Sequence, residues 1–182
     1  MKSLVLSFVC LSLGFSLQAQ KYFSKNAKVS FEAGTPIEDI DAVNKSGTVI
    51  IDLASGKIES AVLVTGFQFE RALMQEHFNE NYMESSKFPK AVFKGNMDTK
   101  QASLLTNNGI YSIKVTGELT MHGVTKPIST TLDFTVNSGK IKASTVFNAV
   151  LEDYKIDIPG IVKDKISKQA KVKVEVDLQP LK

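Results

Sequence analysis

From residue 21 onward, apolar and polar side chains alternate with a period of two, the pattern of strands that bury one face. Tyr111, Ile113, Val115, Gly117, Leu119 and Met121 interleave with Ser112, Lys114, Thr116, Glu118 and Thr120. Val172, Val174, Val176 and Leu178 alternate with Lys171, Lys173, Glu175 and Asp177. Further strands are predicted around Ile128–Val136 and Ile141–Ala149, and earlier at Phe23–Ala33, Val43–Leu53, Lys57–Phe69 and Ala91–Met97, eight in all. Between them fall Ala54-Ser55-Gly56, Asn107-Asn108-Gly109 and Asn137-Ser138-Gly139, where Gly or Asn supplies the positive φ of tight turns. Connections this short join antiparallel neighbours, because a parallel crossover needs a dozen or more residues.

One segment changes period. Over residues 70–83, Leu73 and Met74, His77 and Phe78, then Tyr82 recur at helical spacing, with Gln75, Glu76, Asn79 and Glu80 mostly opposite. This predicts an amphipathic helix of three to four turns that ends before Pro89. A late stretch, Leu151 to Ser167, is irregular around Ile158-Pro159-Gly160. The fold class that follows is mainly β: eight antiparallel strands and one helix, closed into a barrel in preference to an open sandwich, since closure removes exposed edges.

Composition narrows the function classes. The 182 residues carry a formal net charge of +3, with 43% apolar residues, which suits a single globular domain. There is no basic patch, so nucleic acid is not the expected partner. The first twenty residues differ: Lys2 is the only charge before Lys21, and Leu4 to Leu17 are largely apolar. They read as a secretory leader cut after Ala19 or Gln20, not as an anchor, since four serines and two glutamines interrupt them. Residues 21–182 would then be one exported domain. Cys10, the lone cysteine, lies in the leader behind Val9. A lipidated Cys takes a small residue before it, so the mature chain is expected to hold no thiol, disulfide or Cys-bound metal. No later stretch reads as a membrane span, the longest apolar run being Ala61-Val62-Leu63-Val64.

Candidate chemistry is sparse. The only histidines are His77 and His122, and neither a metal-ligand spacing, a nucleophile elbow nor a phosphate-binding glycine loop is present. His122 opens the turn His122-Gly123, where it is either a turn residue bonded to backbone or a polar handle at a barrel mouth. His77 is expected to pack on the helix. Aromatic residues say more: the strands carry Phe31, Phe67, Phe69, Phe93, Tyr111, Phe134 and Phe147, and the chain has no Trp. Inward-facing rings either fill a solid core or line a dry tunnel for an apolar guest, and composition does not choose between the two.

Two segments carry a resemblance. The first runs His77-Phe78-Asn79-Glu80-Asn81-Tyr82-Met83-Glu84-Ser85 and on through Lys87-Phe88-Pro89-Lys90-Ala91-Val92-Phe93-Lys94-Gly95; the second runs Gly117-Glu118-Leu119-Thr120-Met121-His122-Gly123-Val124-Thr125-Lys126-Pro127-Ile128. In this order they resemble the YceI-like lipid/polyisoprenoid-binding family. The resemblance implies an extended, lipocalin-like barrel exported to the periplasm, holding a long amphiphile such as an isoprenoid or fatty-acid derivative. It supplies no catalytic residue and no cofactor. The expected role is therefore a binding protein for carriage or sequestration, against two rivals: an enzyme on a lipid-like substrate with His122 or His77 as base, or a module with a filled core. Oligomeric state stays open, a homodimer included. For the binding role, inward side chains of the strands would form the tunnel: Phe31, Phe67, Phe69, Phe93, Tyr111, Val115, Phe134 and Phe147. Met74, Phe78 and Tyr82 would close one end, and His122, with Asn81 or Tyr82, would meet the polar head.

Overall fold

The computed structural model describes residues 21–181; the expected leader and its Cys10 lie outside these. The eight strands are β1 (Lys21–Gly34), β2 (Asp41–Asp52), β3 (Lys57–Leu63), β4 (Lys90–Met97), β5 (Gly109–Met121), β6 (Val124–Asn137), β7 (Lys140–Val150) and β8 (Ile166–Pro180). Each pairs antiparallel with the next, and β8 returns to β1, closing the barrel. The outer positions of β5, for example, are exposed Ser, Lys, Thr and Glu.

Strands alternate in direction, so the connections divide between two ends. The floor end has the β2–β3 turn with Gly56 at φ 71°, the Ser138-Gly139 hairpin turn with both residues at positive φ, and a short helix α1 (Thr99–Leu104). The sequence reading missed α1. Asp98 caps it, accepting from the amides of Lys100 at 2.9 Å and Gln101 at 3.1 Å. Its Ala102, together with Leu105 just beyond it, is fully buried and seals the floor.

The opposite end carries every longer excursion. The predicted strand Lys57–Phe69 stops at Leu63, and a 3-10 turn, Val64–Gly66, follows. Fully buried Asn44 explains the stop. Its amide nitrogen donates to the Leu63 carbonyl at 2.9 Å, while its oxygen accepts from the amide and hydroxyl of Ser46, both at 2.8 Å. Gly66 lies so close that a Cβ there would meet the Asn44 amide at 2.5 Å. The chain then resumes an extended course, exchanging two backbone hydrogen bonds between Gln68 and Val43. The 3-10 turn inverts the alternation. Even-numbered residues face inward before it and Phe67 and Phe69 after it, which accounts for apolar groups on both apparent faces.

The predicted helix over 70–83 is shorter and of two kinds: α2 (Ala72–His77), then a π-helical turn, Phe78–Tyr82. The Met83 amide reaches back five residues to the Phe78 carbonyl at 2.9 Å. Leu73, expected on the packed face, is exposed. The late segment holds two 3-10 turns, Glu152–Tyr154 and Gly160–Val162.

Two carboxylates tie this end together. Glu38, in the β1–β2 loop, pairs with Arg71 before α2 and, at 3.5 Å, with Lys165 before β8. Glu84 pairs with Lys87 and, at 3.2 Å, with the Nε2 of His122, whose Nδ1 lies 2.9 Å from the Tyr154 carbonyl oxygen. Arg71 above all holds Glu38 below the usual carboxylate range, and Lys87, then His122, do so for Glu84.

The interior differs between the halves. Toward the floor, Phe134, Ile51, Leu105, Ile113, Ile141 and Leu178 are among the largest fully buried side chains and form one cluster with Val115 and Val136. A second, smaller cluster (Val64, Met83, Leu119, Ala149, Tyr154 and Ile156) lies toward the other end.

Two outcomes follow. Phe134→Ala removes a ring with no solvent exposure, so the urea-unfolding free energy is expected to fall by about 3–5 kcal/mol. As for pH, folding depresses both glutamates, so their contribution is present above the ordinary value of 4.5 and is lost as pH falls through their lower folded values. Melting temperature should therefore drop less steeply below about pH 5 in Glu38→Gln/Glu84→Gln than in the parent, by a modest margin because exposed pairs are screened.

Candidate functional site: a blind apolar cavity

The side chains that point inward change in size along the barrel axis. Near the floor they are Phe, Ile and Leu. Farther up they include Ala33 on β1, Ser60 on β3, Ala91 on β4, Thr130 on β6, Thr145 and Ala149 on β7, and Ala170 on β8. An eight-stranded barrel has an interior just wide enough to be filled by side chains, so small residues on several strands leave it unfilled. The result is a cavity of about 470 Å³ with a predominantly apolar wall. Its lower limit is set by Val49, Ile51, Ile58, Ala143 and Val176, which belong to the packed cluster as well. It is a blind pocket in one half of the barrel, not a bore along its full length.

Phe93 shapes one wall. On β4 and β5, Gly95 and Gly117 face each other, and the Phe93 ring lies across both, so that a Cβ on either would strike it. At Gly117 the added carbon would also strike the Lys94 carbonyl. Two facing glycines thus supply the space in which the ring lies flat against the sheet.

Toward the mouth, four rings meet. Phe31 lies 5.3 Å from Phe67, 5.8 Å from Phe69 and 5.4 Å from Phe78, while Phe78 lies 5.7 Å from Phe67 and 5.0 Å from Phe69. Most of these pairs are edge-on or tilted, the favourable arrangement for rings. The strand β1, the extended segment after the 3-10 turn and the π-helical turn each contribute to this wall. Tyr82 and Met74 continue it. Burial raises the Tyr82 phenol above its ordinary value, keeping it a neutral donor in an otherwise oily surface.

Of the residues expected to form a tunnel, the structure brings together Phe31, Phe67, Phe69, Met74, Phe78, Tyr82, Phe93 and Phe147 around the cavity. Four lie elsewhere. Phe134 and Val115 point inward but are fully buried in the packed floor cluster, and Tyr111 packs partly against the same cluster with its hydroxyl donating to the Asn107 carbonyl at 3.2 Å. Phe134 and Tyr111 sit at the low end of their strands and Val115 at the middle of β5, where the bore is already full. His122 is outside the wall. It stands at φ 51° in the β5–β6 turn, both ring nitrogens face oxygens of Tyr154 and Glu84, and its ring meets Phe88 edge-on at 4.9 Å. Nothing is left on that ring to meet a head group, and Asn81 is exposed beside His77 at 3.4 Å.

Sequence reasoning passed over other lining residues. Val172 and Val174 were legible as the inward set of β8, but the aliphatics of the late segment, Leu151, Ile156, Val162 and Ile166, were not, since irregular chain has no period. The charged residues at the mouth, Glu38, Arg71 and Lys165, carried no motif.

Comparisons agree with this architecture. Among solved structures, a polyisoprenoid binding domain from Saccharophagus degradans implicated in plant cell wall breakdown superposes with a TM-score of 0.77 at 13% identity, covering 90% of this chain and 100% of that one. BcnA of Burkholderia cenocepacia gives 0.69 at 15% identity over 84% of this chain and 95% of that one. The YCEI protein of Campylobacter jejuni gives 0.57 at 18% identity over 97% of both. At these identities the likeness is one of fold. A UPF0312 protein of Vibrio parahaemolyticus is 29% identical over 84 residues, 46% of this chain and 41% of its own, so the match spans less than half of that relative's length. The sequence profile of the YceI-like domain matches residues 6–179, and with that span the chain belongs to the YceI-like family.

Proposed function

We propose that this chain is an exported binding protein that holds a long-chain amphiphile, an isoprenoid or a fatty-acid derivative, in the cavity, for carriage or sequestration. The observation that carries the reading is the wall itself: an apolar space of about 470 Å³ with one mouth and a sealed floor. The polyisoprenoid binding domain from Saccharophagus degradans shares this fold and supports the same class of guest. Of the two histidines, His122 is not free to act on a guest, since both its ring nitrogens are turned to Tyr154 and Glu84.

Size limits the guest. Each buried methylene adds about 0.8 kcal/mol before ordering costs. A chain that outgrows the pocket gains nothing from its further carbons, because the floor is closed. The tail would occupy the lower cavity between β7, β8 and β1. The head would remain near Tyr82 at the mouth.

Displacement of a fluorescent fatty acid from the purified protein by chains of increasing length tests this. Affinity is expected to rise with each added methylene and to level off once the chain fills the space above the closed floor. Val174→Phe, which projects a ring into the open part of the cavity, should weaken probe binding about tenfold or more while the melting temperature stays near that of the parent. No saturable uptake of acyl or prenyl chains by the parent, or uptake unaffected by Val174→Phe, would count against the reading.

A further inference from the structure

Four large aliphatic side chains stand out for exposure: Ile161 at 94%, Ile110 at 80%, Ile37 at 68% and Leu73 at 62%. Ile110 is at the floor end, at the start of β5. The other three are on three different segments of the mouth end: the β1–β2 loop, α2 and the 3-10 turn Gly160–Val162.

Glu38 brings these segments together. It is adjacent to Ile37, it pairs with Arg71 two residues before Leu73, and it pairs with Lys165 four residues after Ile161. Thr35 adds a second tie, its hydroxyl donating to the Asp164 carbonyl at 2.8 Å. The same segments line the opening through Glu38, Leu73, Val162 and Ile166. Three exposed aliphatic tips therefore stand around the mouth, interspersed with the charges of Glu38, Arg71 and Lys165.

From this juxtaposition we infer that the rim formed by Ile37, Leu73 and Ile161 is a docking surface that inserts into the apolar interface of a lipid bilayer. The inference rests on the amphiphile reading of the cavity. A guest of that class resides in a bilayer, and every methylene that crosses water on the way adds to the transfer barrier. A rim seated in the interface shortens the stretch of water that the guest crosses between lipid and cavity. The charges on these segments are mixed, with Glu38, Asp39, Glu70 and Asp164 interspersed among Arg71, Lys163 and Lys165. Attraction to an anionic surface is thus not the source of binding. Three separate tips are also too sparse to bury the ~1,200 Å² or more that a stable protein interface needs, so a second copy of the chain is not the occupant.

Flotation of the purified protein with vesicles of phosphatidylcholine, alone and mixed with phosphatidylglycerol, reads this directly. The parent should float with both to a similar extent, insensitive to salt. Ile37→Gln/Ile161→Gln should reduce partitioning about tenfold or more, and Ile110→Gln, equally conspicuous but at the other end, should leave it unchanged. Neither Ile37 nor Ile161 lines the cavity, so the double variant should still bind the fluorescent fatty acid in vesicle-free solution, which also reports a folded barrel. Absence of flotation, or equal loss in Ile110→Gln, overturns the inference. So does flotation that requires phosphatidylglycerol and vanishes at high salt, or a dimer that the double variant abolishes. If flotation behaves as expected and the fatty acid does not bind, docking stands and the amphiphile reading of the cavity fails.

Discussion

The volume enclosed by eight strands is nearly used up by the side chains that point into it, so packing and binding compete for the same space. In this chain the competition is resolved along the axis. Phe134, Ile113, Ile141 and Leu178 take the space near the floor, where α1 adds Leu105 as a plug. Higher up, Ala33, Ala91, Ala149, Ala170 and two threonines leave it vacant. Disulfides play no part, because the described residues contain no cysteine; stability rests on the filled half and on the closed backbone ladder, which shifts register only along β1. The empty half is supported by the full one.

Holding the mouth in shape is the work of polar contacts placed where the chain departs from the ladder. Asn44 fixes the point at which β3 ends, and the inversion that follows is what turns both Phe67 and Phe69 inward. Glu38 spans three segments, and His122 connects the β5–β6 turn to the Tyr154 and Glu84 loops. His122 thus acts on the cavity at one remove. It positions the loops around the opening and does not meet the guest.

Much of the barrel was legible because alternation is a direct imprint of half-buried strands. All eight strands follow from it, and so does the inward set Phe31, Phe93, Phe147. The failures have physical causes. A period of two says which face a residue occupies but not how high on the barrel it sits, so Phe134, Val115 and Tyr111 looked no different from Phe147. Height depends on register, and register became visible only with the paired strands. Apolar residues continued past Leu63 without a break, so the 3-10 turn that Asn44 enforces was hidden, a contact nineteen residues apart in sequence. The helix α1 is only six residues long, too short for a periodic signal, although Asp98 before it was a usable cap. The late segment has no repeat, and its aliphatics at the mouth could not be told from ordinary loop residues.

The turns at Gly56 and Ser138-Gly139 and the short plug fall at one end of the barrel, while every long excursion falls at the other, beside the tight His122-Gly123 turn. Insertions, deletions and substitutions in the long segments leave the filled half and most of the strand pairing untouched. Relatives can therefore diverge in what they accept while keeping one scaffold, and an engineer seeking altered preference can vary the exposed positions of these segments while keeping buried Val64, Met83, Tyr154 and Ile156.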